Sequence, residues 1–356
     1  MSRQITYAAA INEAIDSCLK EDPAVFIMGE GVPDPKGIFG TTSGLKEKYG
    51  PSRVMDMPVA ENGMTGVCIG AALRGMRPIL THQRVDFALL SLDQIINNAA
   101  KWHFMFGGQA CVPLVIRMII GRGWGQGAQH SQSLQALFAH IPGLKVMMPT
   151  TPYDAKGMMI GAIRDNNPVI SLEHRWLYGL KDHVPAESYT IPLGKGRLVR
   201  EGNDITIVSS SHMTVEALRA VQILTKKGIH GDLIDLRTIK PLDEELIFAS
   251  VQKTGRLLVV DTGWTMAGMA AEIIARVTEK MFSVLKTAPV RIALPDIPTP
   301  STPALTKDFY PDYRRIIERV WQMLEKSPLE RQSWFNELPD DKHPHDVPDP
   351  TFTGPF

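Results

Sequence analysis

Three short stretches of this chain carry residue types that could do chemistry. The first is Pro58-Val59-Ala60-Glu61-Asn62-Gly63. Glu61 follows a short apolar run, 54–57, and opens a segment with glycines at 63, 66 and 70. An acid at a helix start is favoured by the helix dipole whether or not it reacts. Each glycine inside a helix costs roughly 1 kcal/mol relative to alanine, so three of them point to close approach by a ligand or another backbone. The second stretch runs from Gly121 to Ser131, with glycines at 121, 123, 125 and 127 and His130 near its end. An imidazole there could give or take a proton near neutral pH; an ordinary surface loop is the alternative. The third is Ala162-Ile163-Arg164-Asp165-Asn166-Asn167-Pro168, where a helix stops. Free carbonyls at a helix end carry partial negative charge. With Asp165 and Asn167 they could hold a hard cation, although a plain helix stop accounts for the same residues.

These stretches must be positioned by alternating strands and helices. Ala8, Ile11, Ile15 and Leu19 lie on one face of a first helix. Strands are predicted at 25–28, 54–57, 78–81, 112–120, 145–148 and 169–173, with helices at 62–73, 92–102, 133–139 and 153–164. This rhythm predicts a mainly parallel sheet covered on both faces, with ligands at the carboxyl ends of its strands. Residues 177–202 read as a linker. A second alternation follows, with strands at 205–208, 231–234, 257–260 and 290–292 and helices between them, then an amphipathic helix at 313–324. The expected fold class is therefore α/β, as two doubly wound domains over 1–190 and 191–325. The Pro-rich polar tail, 326–356, cannot form a core of its own. Its Trp334, Phe335, Phe352 and Phe356 suggest an arm lying on a partner.

Composition narrows the function. A chain of 356 residues is long for one core. Lys+Arg and Asp+Glu both number 38, so there is no basic excess for nucleic acid and little charge repulsion against a partner subunit. Cys18, Cys68 and Cys111 show neither a CxxC nor metal-ligand spacing and read as buried, reduced thiols. No apolar run approaches the ~18 residues of a membrane span, and no signal peptide is visible. A cytoplasmic location is expected, or a compartment reached by a signal since removed. The glycine loop lacks GxGxxG and no acid closes the next strand, which disfavours an NAD-binding dehydrogenase.

The stretches PVAENGMTGVCIGAALRGMRPI, LDQIINNAAKW, GAQHSQ, HIPGLKVMMPTTPYDAKGMMIGAIRDNNPVISLE and DLRTIKPLD, in this order, make the chain resemble the beta subunits of thiamine-diphosphate-dependent 2-oxoacid dehydrogenases. The resemblance covers roughly residues 3–325 and takes in the pyruvate, branched-chain and acetoin types. It implies a transketolase-like pyrimidine-binding domain followed by a transketolase C-terminal-like domain. It also implies that Glu61 hydrogen-bonds a pyrimidine nitrogen of thiamine diphosphate and so activates the thiazolium carbon, which attacks the 2-oxo group and accepts the electrons of decarboxylation. Val59 and Phe87 would contact the cofactor. His130 would assist acyl transfer to a lipoyl group. Leu114, Ala162, Ile163, Asp165 and Asn167 match a site that in several relatives binds a structural potassium ion.

One absence shapes the expected partners. No GDG followed by NN occurs, the pattern that holds the diphosphate through a divalent metal. In two-chain members of the family that motif lies on the alpha subunit. The resemblance therefore implies half an active site, completed by an alpha chain that holds magnesium, with a second beta subunit and a lipoyl acyltransferase component as further partners. Pyruvate is the leading substrate expectation. Departures from the family at 81–86 leave His82 and Arg84 as residues that could clamp a substrate carboxylate, or else lie on a surface. Two further readings stay open: a split-chain transketolase-like or acyloin-type thiamine enzyme, and a chain serving mainly to dock an acyltransferase core.

Overall fold

The computed structural model describes residues 3–122 and 125–327, together with Phe335, Leu338 and His345. The expected tail, including Trp334, Phe352 and Phe356, otherwise lies outside the described residues. Seven strands form the first sheet, in the order Thr238–Lys240, Lys145–Met147, Val169–His174, Val115–Ile120, Arg77–His82, Val25–Gly29 and Val54–Met55. All neighbours run parallel except the Thr238–Lys240 edge, which is antiparallel. Every residue of Val25–Gly29, Val115–Ile120 and Val169–His174 is buried, which requires cover on both faces. The helices Tyr7–Glu21 and Pro152–Arg164 cover one face through Ile11, Ile15, Met158 and Ile163. Each begins at a threonine whose hydroxyl accepts a backbone N–H, Thr6 from Ala9 at 3.1 Å and Thr151 from Asp154 at 3.0 Å. On the other face, Cys68, Ile69 and Ala72 of the helix Glu61–Leu73 pack with Phe26, Leu80 and Ile116.

The second sheet has the order Val290–Leu294, Leu257–Trp264, Ile205–Ser209, Gly231–Asp235 and Arg197–Arg200, with only the last strand antiparallel. The helices His212–Thr225 and Tyr313–Met323 cover one face, and Glu244–Thr254 and Met269–Met281 the other. The apolar cluster under this second pair runs on into the first sheet, so Val208, Ile234 and Val259 share one core with Phe138 and Ile170.

Three segments differ from the sequence expectation. Residues 177–202 do not form a plain linker: Lys181–His183 pairs with Gln4–Thr6, and Arg197–Arg200 edges the second sheet. Both are charged, partly exposed edge strands, which lack the apolar alternation of a covered strand. In place of the helix expected at 92–102, a π-helical turn at Gln94–Ala99 is followed by a short helix at Trp102–Met105, with a 3-10 turn at Leu89–Ser91 before them. Thr238–Lys240 was not expected as a strand, because its ladder partner belongs to the other sheet. Cys18 and Cys68 are buried thiols, but Cys111 is partly exposed, with its Sγ 3.6 Å from His103 Nδ1. Among the described residues, no helix is long and apolar enough to cross a membrane.

Candidate active site

Glu61 is the first residue of its helix, at the carboxyl edge of the first sheet. It is only 4% exposed, and its carboxylate has no hydrogen-bond or ion-pair partner among the described residues. Its backbone oxygen accepts Thr65 Oγ1 at 2.7 Å, and Thr65 in turn bonds Ser91 Oγ at 2.9 Å. Glu30, just past the strand Val25–Gly29, has its carboxyl pushed up by partial burial and by the negative charges of Glu61 and Asp56. Two acids thus face one another where strands end, and the more buried one lacks a donor. A hydrogen-bond donor carried by a ligand could meet this carboxylate.

The surroundings of Glu61 are open. Val59, two residues earlier, is 79% exposed. Gly63, Val67 and Gly70 line one exposed face of the helix, and a Cβ added at Gly63 or Gly70 would meet nothing within 4 Å. A Cβ at Gly66 would lie 3.5 Å from Gln94 Oε1, so among the described residues only Gly63 and Gly70 lack the close approach these glycines suggested.

Phe87 and His130 are brought together. Their rings meet edge to face, with centroids 5.5 Å apart. Phe87 sits on the short helix Val85–Ala88, whose N-terminal neighbour is Arg84. Asp86 on the same turn accepts Gln132 Nε2 at 2.6 Å, and burial pushes its carboxyl up against the opposing pull of that hydrogen bond, His130 and Arg84. The loop bearing His130 is held by Arg175. The Arg175 guanidinium donates to Gly121 O at 2.8 Å, His130 O at 3.0 Å and Gln126 Oε1 at 2.5 Å. Arg84 donates to the same Gln126 oxygen at 3.1 Å. Sequence reasoning found Arg84 but missed Arg175 and Gln126. Arg175 directly follows the strand Val169–His174, so the carboxyl-end rule extended to that strand would have found it.

His82 closes the strand Arg77–His82 and is 2% exposed, and burial pushes its imidazole down to about 4. It therefore meets any ligand as a neutral ring, and its Nε2 has no hydrogen-bond partner among the described residues. Of the five expected cation-site residues, Ala162, Ile163, Asp165 and Asn167 lie at the end of the helix Pro152–Arg164 and Leu114 precedes the neighbouring strand Val115–Ile120. Ala162 O accepts Asp165 N, and Leu114 O accepts Val169 N. The Arg77 guanidinium donates to Ile163 O at 3.1 Å, Asp165 O at 3.0 Å and Asn166 Oδ1 at 2.7 Å. Asp165 also pairs with Lys145 and accepts Asn167 Nδ2 at 3.0 Å. A protein cation already serves part of this helix end.

A second polar centre lies between the sheets. His174 stacks on His212 at 4.7 Å, and Trp176 meets the edges of both rings. Arg122 sits 4.3 Å from the centroids of Trp176 and Tyr310. His174, His212, Arg122 and Tyr310, together with Ser131, Ser133 and Asp261, surround a cavity of about 20 Å³. Burial holds both imidazoles well below their usual range.

A parallel sheet with a buried acid at its carboxyl edge is thus joined to a second α/β unit through one core. Residues 3–181 match the transketolase pyrimidine-binding domain family, and residues 194–316 the transketolase C-terminal domain family. The beta subunit of acetoin:2,6-dichlorophenolindophenol oxidoreductase from Cupriavidus necator is 44% identical over 326 residues, covering 89% of this chain and 96% of that one. The mitochondrial pyruvate dehydrogenase E1 beta subunit of Bos taurus is 41% identical over 326 residues, covering 90% and 91%. A solved split-gene transketolase, an inactive beta4 tetramer, superposes with a TM-score of 0.75 at 23% identity, over 90% of this chain and 99% of that one, and so shares the fold. The chain belongs to the family of 2-oxoacid dehydrogenase E1 beta subunits.

Proposed function

We propose that this chain is the beta half of a cytoplasmic, thiamine-diphosphate-dependent 2-oxoacid dehydrogenase, with pyruvate as the leading substrate. The observation that carries the reading is Glu61, a buried acid at the carboxyl edge of a parallel sheet whose carboxylate has no donor among the described residues. The site fits the cofactor's pyrimidine end. Glu61 would hold a proton at a ring nitrogen, while Phe87 and Val59 supply apolar contact. When bound, thiamine diphosphate supplies a nucleophilic carbon and an electron sink. His130, packed on Phe87, would move a proton at the oxygen of the reacting carbonyl and assist transfer to a lipoyl group. Arg84 and His82 would face the substrate, His82 as a neutral hydrogen-bonding ring.

Among the described residues no group of three or more His, Cys, Asp or Glu could hold a metal ion, and the diphosphate with its magnesium is assigned to an alpha chain. The exposed Gly63–Val67–Gly70 face suits close packing by another subunit. A second beta chain and a lipoyl acyltransferase complete the assembly. Leu114, Ala162, Ile163, Asp165 and Asn167 retain carbonyl lone pairs that a structural potassium ion could share with Arg77. In the complex with the alpha partner, Glu61→Gln should lower decarboxylation by about 10²-fold or more. Full activity in that variant would refute the role of Glu61. Failure of an added lipoyl domain to become reductively acylated would favour a split-chain acyloin or transketolase reaction instead.

A further inference from the structure

We propose that Asp86 is the positioning residue for His130: its second carboxylate oxygen receives the imidazole N–H, so that the opposite ring nitrogen is the one presented to the reacting groups. The inference rests on the reading of this chain as a 2-oxoacid dehydrogenase subunit and adds one residue to the machinery of that site.

Asp86 Oδ1 accepts Gln132 Nε2 at 2.6 Å, while Oδ2 is buried and has no hydrogen-bond partner among the described residues. Buried polar atoms usually have a partner, and this one calls for a donor. His130 is fixed everywhere except at its nitrogens. Its amide donates to Gly127 O at 3.4 Å, its carbonyl accepts from Arg175 at 3.0 Å, and its ring meets Phe87 edge to face. Neither ring nitrogen has a hydrogen-bond partner among the described residues. Asp86 directly precedes Phe87, and Gln132 lies two residues beyond His130, so both contacts hold Asp86 beside the same loop. The charge of His130 acts on the Asp86 carboxyl ahead of that of Arg84. Arg84 and Arg175 also feel this carboxylate, which therefore serves as their counter-charge too.

An imidazole has two nitrogens, and the hydrogen bond made by one decides which of them faces the reaction. A carboxylate on the far nitrogen fixes both the tautomer and the orientation of the ring. The step it would serve is transfer to a lipoyl disulfide. There a C–S bond forms from the electron pair at the acyl carbon, the S–S bond breaks, and its electron pair leaves on the second sulfur. That sulfur takes a proton from His130, whose ring is left neutral with its other N–H still on Asp86. In resting sites such hydrogen bonds are often long and tighten only when substrate is bound.

The test is a double-mutant cycle in the complex with the alpha partner, read as the rate of reductive acylation of an added lipoyl domain. Asp86→Asn keeps an acceptor for Gln132 and turns a donor toward His130. It should lower kcat about 10²-fold, with KM for the oxoacid within about threefold, and Asp86→Glu should recover part of the rate. His130→Ala should cost a similar factor, and Asp86→Asn should then cost nothing further in the His130→Ala background. Losses that multiply to about 10⁴-fold would overturn the pairing and leave Asp86 as a counter-charge for the arginines. A second readout needs no turnover. Carbethoxylation of His130 by diethyl pyrocarbonate at about pH 8.5, where an ordinary imidazole is neutral, should be severalfold slower in Asp86→Asn, because the reacting nitrogen loses the basicity that the carboxylate lends it. Equal carbethoxylation in the two complexes, with full acylation activity retained, would overturn the pairing while the proposed function stands. Slower carbethoxylation in Asp86→Asn, in complexes that neither decarboxylate nor acylate, would support the pairing while the proposed function falls.

Discussion

Glu216 shows what burial does to an acid that the reaction does not use. It lies on the helix His212–Thr225, and its Oε2 accepts the Tyr313 amide at 2.9 Å. Burial, the dominant influence, pushes its carboxyl up to about 7 against the opposing pull of Arg122, and Asp312 adds to the rise. The folded chain therefore keeps a proton that the unfolded chain releases near 4.5. Stability falls as pH rises between those values, by on the order of 3 kcal/mol. Glu216→Gln should remove this loss, so its Tm should drop less than that of the parent between pH 5 and pH 8. The neighbouring His174 and His212 act on the other side. Their imidazoles face Arg122, with Arg175 near the first and Arg219 near the second, and they resist protonation in the folded state. Below about 6.5 the unfolded chain takes up protons that the folded chain refuses, so stability also falls toward acid. Thermal unfolding across pH 5 to 8 separates the two limbs: the glutamine variant should keep the acid limb and lose the other. An equal alkaline loss in both proteins would show that Glu216 is not its source.

At the scale of elements, the adjacent strands Val115–Ile120 and Val169–His174 are joined by more than their ladder. Arg117 and Glu173 form a two-point ion pair at 2.7 and 2.8 Å with both side chains 1% exposed. Thr41 accepts from Arg117, and Tyr178 and Ser171 donate to Glu173, Tyr178 to Oε2 at 2.9 Å and Ser171 to Oε1 at 3.4 Å. Removing one partner strands a buried charge, so Glu173→Gln should cost roughly 3–5 kcal/mol in chemical denaturation. Arg117→Met combined with Glu173→Leu should recover most of that loss, because an apolar pair needs no counter-charge. Arg175 stands two residues beyond Glu173, so this pair also fixes the base from which the His130 loop is gripped. The strands themselves were legible, since Val-Ile-Arg-Met-Ile-Ile and Val-Ile-Ser-Leu-Glu read as buried runs in a short alternating pattern. Glu61 and His130 were legible because each lies where a strand has ended and glycines follow. Arg175 and Gln126 were not, because their meeting depends on a loop fold 49 positions apart in sequence. The π-helical turn at Gln94–Ala99 was hidden for a different reason: its residues have ordinary helical side chains, and only tertiary packing widens the turn.

For the molecule as a whole, the exposed apolar residues describe a surface meant for company. Val59, Val67 and Leu90 flank the segment that carries Glu61 and are 79%, 53% and 63% exposed. The chain alone should therefore bind thiamine diphosphate with magnesium weakly, and an alpha partner should raise that affinity by at least about 10²-fold in calorimetry. Tight binding by the isolated chain would contradict the half-site reading. The match of the sequence pattern to two sheets was good because each sheet is built mostly from consecutive units. It failed at Thr238–Lys240, where the chain leaves its own sheet for three residues and returns. That detour has a consequence in time. On the ribosome, residues 3–200 emerge before residue 240, so the newborn first sheet waits with Lys145–Met147 as a bare edge. An unpaired edge is a place where one nascent chain can join another. Synthesis of the next forty residues closes it, and the chain carries its own timed shield against that error.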